Sequence, residues 1–201
     1  MQENNHIVLV DLRSGEVIGN FSAGTADLEQ IDTIENKFIE LNSSLDDVPR
    51  EPDGVTWISD TLLATADEGD LDGGSRGFTL FDTYGNVVYT SGNEVEHIAA
   101  RLGHYPEERS ENKGSEPEGV EFGAYRSGDY LFVGTERASL ALVYSLNDPF
   151  DPQFVQALPG GIGPEGLLAI PRRNLFVTAA EVDNPGGLRS NITLYELTRE
   201  S

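Results

Sequence analysis

Three short stretches, "EPDGV" (51–55), "EPEGV" (116–120) and "GPEGL" (163–167), share one pattern: proline, an acidic residue, glycine, then an apolar residue. Each opens an apolar strand, a turn and a second strand that ends at a glutamate. "TLLATADE" ends at Glu68, "YLFVGTE" at Glu136 and "NLFVTAAE" at Glu181. The interval from the motif's acid to that glutamate is 15 residues from Asp53 to Glu68, 18 from Glu118 to Glu136 and 16 from Glu165 to Glu181. A unit this short cannot bury its own apolar face, so successive copies must stack on one another.

The units are built from strands. "GVTWI", "TLLATAD", "GFTLFDT" and "NVVYTSG" form one set of four, and "GVEFGAY", "YLFVGTE", "LALVYSL" and "QFVQALP" a second. "GLLAI", "NLFVTAAE" and "ITLYEL" give three of a third set. Short apolar runs at about 8–12-residue spacing with turn signals between them mark an all-β chain. Four antiparallel strands per repeat define the blade of a β-propeller. The period is 65 residues from Pro52 to Pro117 and 47 from Pro117 to Pro164, so the first holds an insertion, residues 92–115. An amino-terminal hairpin, "HIVLVDL" and "EVIGNFSA", turns at "RSG". The reading is a single, partial propeller domain over 1–201, with repeat units at about 51–91, 116–159 and 163–201. It amounts to about three and a half blades, and its open edges would favour self-association.

Within the insertion, "NEVEHIAARLG" reads as the one helix, near 93–102. Asn93 and Glu96 stand in capping-box spacing, Val95, Ile98, Ala99 and Leu102 form an apolar face, and Gly103 is the stop. "HYPEERSENKGS" reads as an exposed loop. Residues 23–50 are irregular, with a strand expected at "FIEL" and "DLEQIDTI" open to either state.

Thirty-five acidic residues against 13 basic ones give a net charge of −22. That field repels nucleic acid and anionic membranes. Lys37 and Lys113 are the only lysines, and an acidic, lysine-poor surface suits a saline medium in which self-repulsion is screened. Cysteine is absent, which removes disulfides, thiol nucleophiles and thiolate metal ligands. No apolar run reaches the ~18 residues of a membrane span, and the amino terminus lacks the pattern of a signal peptide.

In a blade the first two strands are antiparallel, so the start of one lies beside the end of the other. Asp53 is therefore expected near Glu68, Glu118 near Glu136, and Glu165 near Glu181, all at one mouth of the central channel. Such a ring of carboxylates suits Ca²⁺, which takes six to eight oxygens. The alternative is that these acids accept backbone N–H groups at turns or pair with Arg76 and Arg137. The stretch "TADEGDLDGGSRGF" (65–78) adds Asp70 to the candidate metal ligands. Against an EF-hand, Glu68, Asp70 and Asp72 match positions 1, 3 and 5, but position 12 is Thr79 and no helices flank the loop. As a phosphate loop, "GGSRG" lacks the lysine and the helix that would follow.

Arg76 and the insertion's His97, Arg101, His104, Arg109 and Lys113 form a basic set that could hold an anion such as a phosphate ester. The plainer reading pairs the insertion's cations with Glu107, Glu108, Glu111 and Glu116. No catalytic residue set is identifiable: there is no Ser-His-Asp arrangement and no nucleotide fingerprint.

"REPDGVTWISDTLLATADEGD", "GGSRGFTLFD", "SGNEVEHIAARLGHYPEERSENKGSEPEGVEF", "YLFVGTER" and "GPEGLLAIP" resemble the choice-of-anchor I family of exported bacterial and archaeal propellers, itself related in pattern to phytase-like and YVTN-type propellers. The resemblance covers residues 30–197 and implies an extracellular or cell-surface setting and a longer native protein. Two functions follow. The first is a surface binding or scaffold module, with calcium at one face and a cell-surface partner. The alternative is a metal-dependent phosphoric ester hydrolase, phytase-like or alkaline-phosphatase-like, acting on a small phosphorylated ligand.

Overall fold

A computed structural model describes residues 2–69, 71 and 73–198. Two sheets have four strands in sequence order, each antiparallel to the last: β5 (Val55–Ser59), β6 (Leu62–Asp67), β7 (Gly77–Asp82) and β8 (Val87–Thr90), then β9 (Pro117–Tyr125), β10 (Gly128–Thr135), β11 (Leu140–Ser145) and β12 (Gln153–Pro159). A third sheet has three strands, β13 (Pro164–Ile170), β14 (Leu175–Ala180) and β15 (Asn191–Glu196). Upstream lie two hairpins, β1 (His6–Val10) with β2 (Val17–Ser22), and β3 (Thr25–Ile31) with β4 (Ser43–Pro49). Helix α1 (Glu94–Leu102) falls between the two full blades.

The middle strands β6, β7 and β11 are buried over nearly their whole length, and β10 from Leu131 to Thr135, because both faces of each blade meet a neighbour. Leu62, Ala64, Ala66, Phe78 and Leu80 of the first blade share one core with Val120, Leu131, Val133, Leu142 and Tyr144 of the second, and α1 adds Val95 and Ile98. On the second blade's other face Tyr125, Phe132, Ala141 and Val143 meet Phe176 of the third sheet, with the Phe132 and Phe176 rings stacked at 3.9 Å. The first blade's remaining face, Leu63 and Phe81, is covered by Ile7, Leu9 and Phe21 of the β1–β2 hairpin. Each Leu, Val or Phe removed from water in these layers contributes about 1.5–3 kcal/mol. The layers are thus consecutive propeller blades, two complete and two partial.

The motif glycines set how closely the blades approach. Gly54 N donates to Glu118 O at 3.0 Å, and a Cβ on Gly54 would lie 2.5 Å from that oxygen. A Cβ on Gly119 would lie 3.3 Å from Glu165 O and 3.1 Å from Leu167 Cδ1. The inner strands β5, β9 and β13 therefore pass side by side around the channel, and the glycine after each acid leaves room for the next blade's backbone. The residue before each motif proline is left-handed in all three copies, at Glu51 (φ 46°), Glu116 (φ 50°) and Gly163 (φ 68°).

Four local expectations are corrected. "FIEL" is not a strand: Lys37 takes φ 73°, and Asp32 accepts the N–H groups of Ile34 and Glu40, which folds 32–40 into a loop with Phe38 exposed. The strand lies at β4 instead, paired with β3, which takes in the start of "DLEQIDTI". Gly103 ends α1 in the left-handed conformation as expected, but Asn93 makes no side-chain cap, donating to Glu29 O at 2.7 Å, and Glu96 turns inward. Leu102 is 51 % exposed, so the helix's apolar face stops at Ala99. Finally, "HYPEERSENKGS" is not simply an exposed loop, because Tyr105, Ser110 and Ser115 are buried: Tyr105 packs on Ala99 and Ala138 and meets the Ser110 hydroxyl, and Ser115 N donates to Glu96.

Candidate functional site

Antiparallel pairing returns each second strand to the level at which the first began. Asp53 N donates to Ala66 O, Glu136 N to Glu116 O and Glu181 N to Gly163 O, so each motif sits beside the glutamate that ends its partner strand. Because the inner strands are neighbours, the three acidic pairs converge on one rim. Burial and then the charges of Glu136, Glu165, Glu68 and Asp53 push the Glu118 carboxyl up to about 8. Glu136 is pushed up to about 7, first by burial and then by Glu116, Glu181 and Glu68, with Arg137 acting in the opposite sense. Glu165 is raised by burial and by Glu181, with which it shares a hydrogen bond. Of the candidate metal ligands, Asp53, Glu68, Glu118, Glu136, Glu165 and Glu181 all reach this mouth; Asp70 lies outside the described residues.

The mouth has two parts. In one, single carboxylate oxygens of Glu68, Glu116 and Glu136 lie within 4.8 Å of one another. Cations already bridge them: Lys113 Nζ meets Glu68 at 2.6 Å, Arg109 Nη2 meets Glu116 at 2.5 Å, and Arg137 spans Glu116 at 3.2 Å and Glu136 at 2.8 Å. In the other part Glu118 is acted on by the charges of Glu136 first, then Glu165, Glu68 and Asp53, and its buried Oε2 has no hydrogen-bond partner among the described residues. A buried polar atom without a donor costs about 1–3 kcal/mol, more when charged. A bound cation would remove that cost and favour the ionised carboxylates around it.

Glu116 is the residue that sequence reasoning missed as a member of the mouth. It is 1 % exposed and left-handed, and its two oxygens are clamped by Arg109 and Arg137. The signal was present, since a glutamate precedes the motif proline in two of the three copies, and Glu51 in the other is equally buried.

The six candidate anion-binding residues do not form one site. Arg109 and Lys113 sit in the acidic mouth. Arg76 is buried at 1 % exposure; its guanidinium donates to the carbonyls of Asp32, Ser110 and Asn112 and lies 3.5 Å from Glu96. It therefore ties three loops together rather than facing a ligand. His104 Nδ1 is bonded to Ala138 O. His97 and Arg101 line a separate open hollow of about 420 Å³ with Glu94 and Asp151, whose carboxylates offset the basic charge.

Beneath the mouth, Asp67 is fully buried where β6 ends. It accepts hydroxyl bonds from Thr65 at 2.7 Å, Thr79 at 2.5 Å and Ser75 at 3.2 Å. Arg50 reaches the same network through Thr79 and ties it to Ala23 O and Thr25 O. Burial raises the Asp67 carboxyl to about 6 despite these donors and Arg50.

The architecture places the chain in the β-propeller class, and comparison with solved structures agrees. A structure of U3-55K is 9 % identical with a TM-score of 0.52, over 98 % of this chain and 63 % of that one. The WD40 repeats of RRP9 are 10 % identical with a TM-score of 0.52, over 96 % of this chain and 61 % of theirs. At such identities the likeness is one of fold alone, and the chain spans less than two thirds of the length of either. No curated protein matches the sequence. Residues 71–149 match the choice-of-anchor I domain, so the stretch from the first blade's acidic connection through the insertion to the end of β11 is similar to that family.

Proposed function

We propose that the chain forms the cation-binding part of a cell-surface propeller that acts as a binding or scaffold module, with Ca²⁺ held at the acidic mouth. The observation that carries this reading is Glu118: a half-buried carboxyl with an unpartnered oxygen, facing acids delivered by all three motif copies. Glu118, Asp53, Glu165 and Glu136 supply hard oxygen donors of the kind Ca²⁺ requires. The bound ion would stiffen the mouth by joining adjacent blades, because each blade contributes a ligand. Similarity of residues 71–149 to the choice-of-anchor I domain supports the surface setting. Phosphoric ester hydrolysis has less support, since Arg109 and Lys113 reach the mouth but are each bound to a carboxylate.

Thermal unfolding and calorimetric titration test the proposal. Millimolar CaCl₂ should raise the Tm above that in KCl of equal ionic strength, and Glu118→Gln should remove most of the rise. Equal melting in CaCl₂, MgCl₂ and KCl, with no calorimetric signal, would rule the calcium site out.

A further inference from the structure

The hollow beside α1 lies apart from the acidic mouth, and we propose that it binds an uncharged saccharide. Its walls come from the two complete blades and the helix between them: Tyr89 on β8, Glu94, His97 and Arg101 on α1, Asp151 just before β12 and Phe154 on it. Glu94, His97 and Arg101 are spaced three and four residues apart, so one face of the helix turns all three toward the hollow. The helix is pinned from another side. His97 Nε2 is bonded to Gln30 O at 2.7 Å and Asn93 donates to Glu29 O at 2.7 Å, which ties α1 to β3. The volume, about 420 Å³, falls within the ~300–1,000 Å³ of small-molecule sites.

The observation that points to a ligand is Tyr144. Its side chain is wholly buried, with the ring 4.7 Å from that of Phe78 and 5.7 Å from that of Phe154. Its hydroxyl nevertheless completes no well-formed hydrogen bond among the described residues. The groups that act on this hydroxyl, Glu94, Tyr89 and Arg101, all line the hollow, so it lies at the hollow's floor. A buried hydroxyl left bare is costly, and a ligand oxygen above it removes the cost. Arg101 and Asp151 are exposed, and neither side chain makes a hydrogen bond or ion pair among the described residues.

The chemistry of the lining selects the ligand. Two carboxylates against one guanidinium, in a chain of net charge −22, disfavour an anion. Arg101 disfavours a divalent cation, and among the described residues Glu94, His97 and Asp151 do not bring three ligand atoms to metal spacing. Burial and then Glu94 hold both phenols, Tyr144 and Tyr89 (pushed up to about 12), in the protonated, donating form. A sugar hydroxyl both donates and accepts, so it bridges a carboxylate and a guanidinium at once. The apolar C–H face of the sugar ring rests on Tyr89 and Phe154, which give the hollow its aromatic side.

Saturation-transfer NMR tests the site with glucose, galactose, mannose, N-acetylglucosamine, maltose and cellobiose. EDTA is present throughout, so the outcome does not depend on calcium at the mouth. At least one sugar should bind saturably, with a Kd in the millimolar range or below. Arg101→Met and Asp151→Ala, both at exposed positions, should each weaken that binding about tenfold. Tyr144→Phe should weaken it roughly threefold to tenfold while leaving the Tm unchanged or raised, because the free protein loses only an unpartnered hydroxyl. A tyrosine with a merely structural role would lower the Tm instead. No binding of any sugar at tens of millimolar would overturn the inference, as would binding that all three variants leave intact. Tighter binding of inorganic phosphate or of glycine than of every sugar would also overturn it, and would give the hollow to a charged ligand.

Discussion

Alanine at the three motif glycines should be tolerated in a graded way set by what lies beyond each blade. A Cβ on Gly54 would stand 2.5 Å from Glu118 O, 3.0 Å from Val120 N and 3.1 Å from Gly119 Cα, all backbone atoms of the next blade. Relief needs a shift of about half an ångström or more between β5 and β9, and would stretch the 3.0 Å bond from Gly54 N to Glu118 O. Overpacking of this kind costs typically 1–3 kcal/mol. The loss of chain entropy in the unfolded state returns about 0.4–1 kcal/mol. Gly54→Ala should therefore cost about 1–2 kcal/mol, or a fall of roughly 2–8 °C in Tm for a chain of this size. Gly119→Ala should cost less, because its nearest contact, at 3.1 Å, is the mobile Leu167 Cδ1. Gly166→Ala should also cost less than Gly54→Ala: its one close contact is Ala179 Cβ at 3.0 Å, the next atom lies at 3.9 Å, and both are within its own sheet. Urea unfolding of the three variants measures the series. A Gly166→Ala cost equal to that of Gly54→Ala would refute the argument, because the motif glycine would then serve its own blade rather than the approach of the next.

Asp67 should make stability fall with rising pH. Its carboxyl is raised from 3.8 to about 6 on folding, so its contribution is complete below pH 4 and lost as pH climbs through 6, by about 3 kcal/mol; Asp67→Asn should flatten that part of the urea-unfolding profile. Removing Arg76 leaves Glu96 buried and unneutralised, so Arg76→Met should destabilise by about 3–5 kcal/mol, with Glu96→Gln restoring much of the loss in the double variant. Calcium at the mouth should expel protons near pH 7, because Glu118 sits at about 8 when empty of metal. Titrations in buffers of different ionisation enthalpy should report roughly one proton released, and Glu118→Gln should abolish the release.

The blades were legible because two signals coincide at each of them. Apolar runs such as "LLATA" and "YLFVG" are too continuous for a solvated sheet, and the Pro-acid-Gly motif recurs at their edges. β4 was not legible. "SSLDDVP" offers only Leu45 and Val48 to a small cluster with Leu28 and Ile31, and it is a strand because β3 pairs with it. "FIEL" carried the better local pattern but, among the described residues, has no neighbouring strand to pair with. The convergence of acids could be argued from antiparallel geometry alone. The cations that reach them could not, because Arg109 and Lys113 arrive on a loop whose path depends on buried tertiary bonds. Glu96 accepts Ser115 N at 2.8 Å, and Arg76 grips the carbonyls of Ser110 and Asn112. A helical capping rule assigned Glu96 to the backbone beside it; tertiary packing assigns it to Arg76.

That placement gives the insertion a purpose within the mouth. Seven carboxylates, Asp53, Glu68, Glu116, Glu118, Glu136, Glu165 and Glu181, crowd a rim where ionisation of all of them would be opposed by mutual repulsion. Arg137 comes from the second blade itself, but Arg109 and Lys113 come from the insertion, and together the three neutralise Glu68, Glu116 and Glu136. What remains uncompensated is displaced toward Glu118 and Glu165, the side on which the third sheet begins. A uniformly acidic rim would bind cations diffusely. A rim neutralised on one side by tethered cations concentrates its remaining field around Glu118 and Glu165, and on the proposed function a divalent ion there would join the second and third blades, with Asp53 bringing in the first.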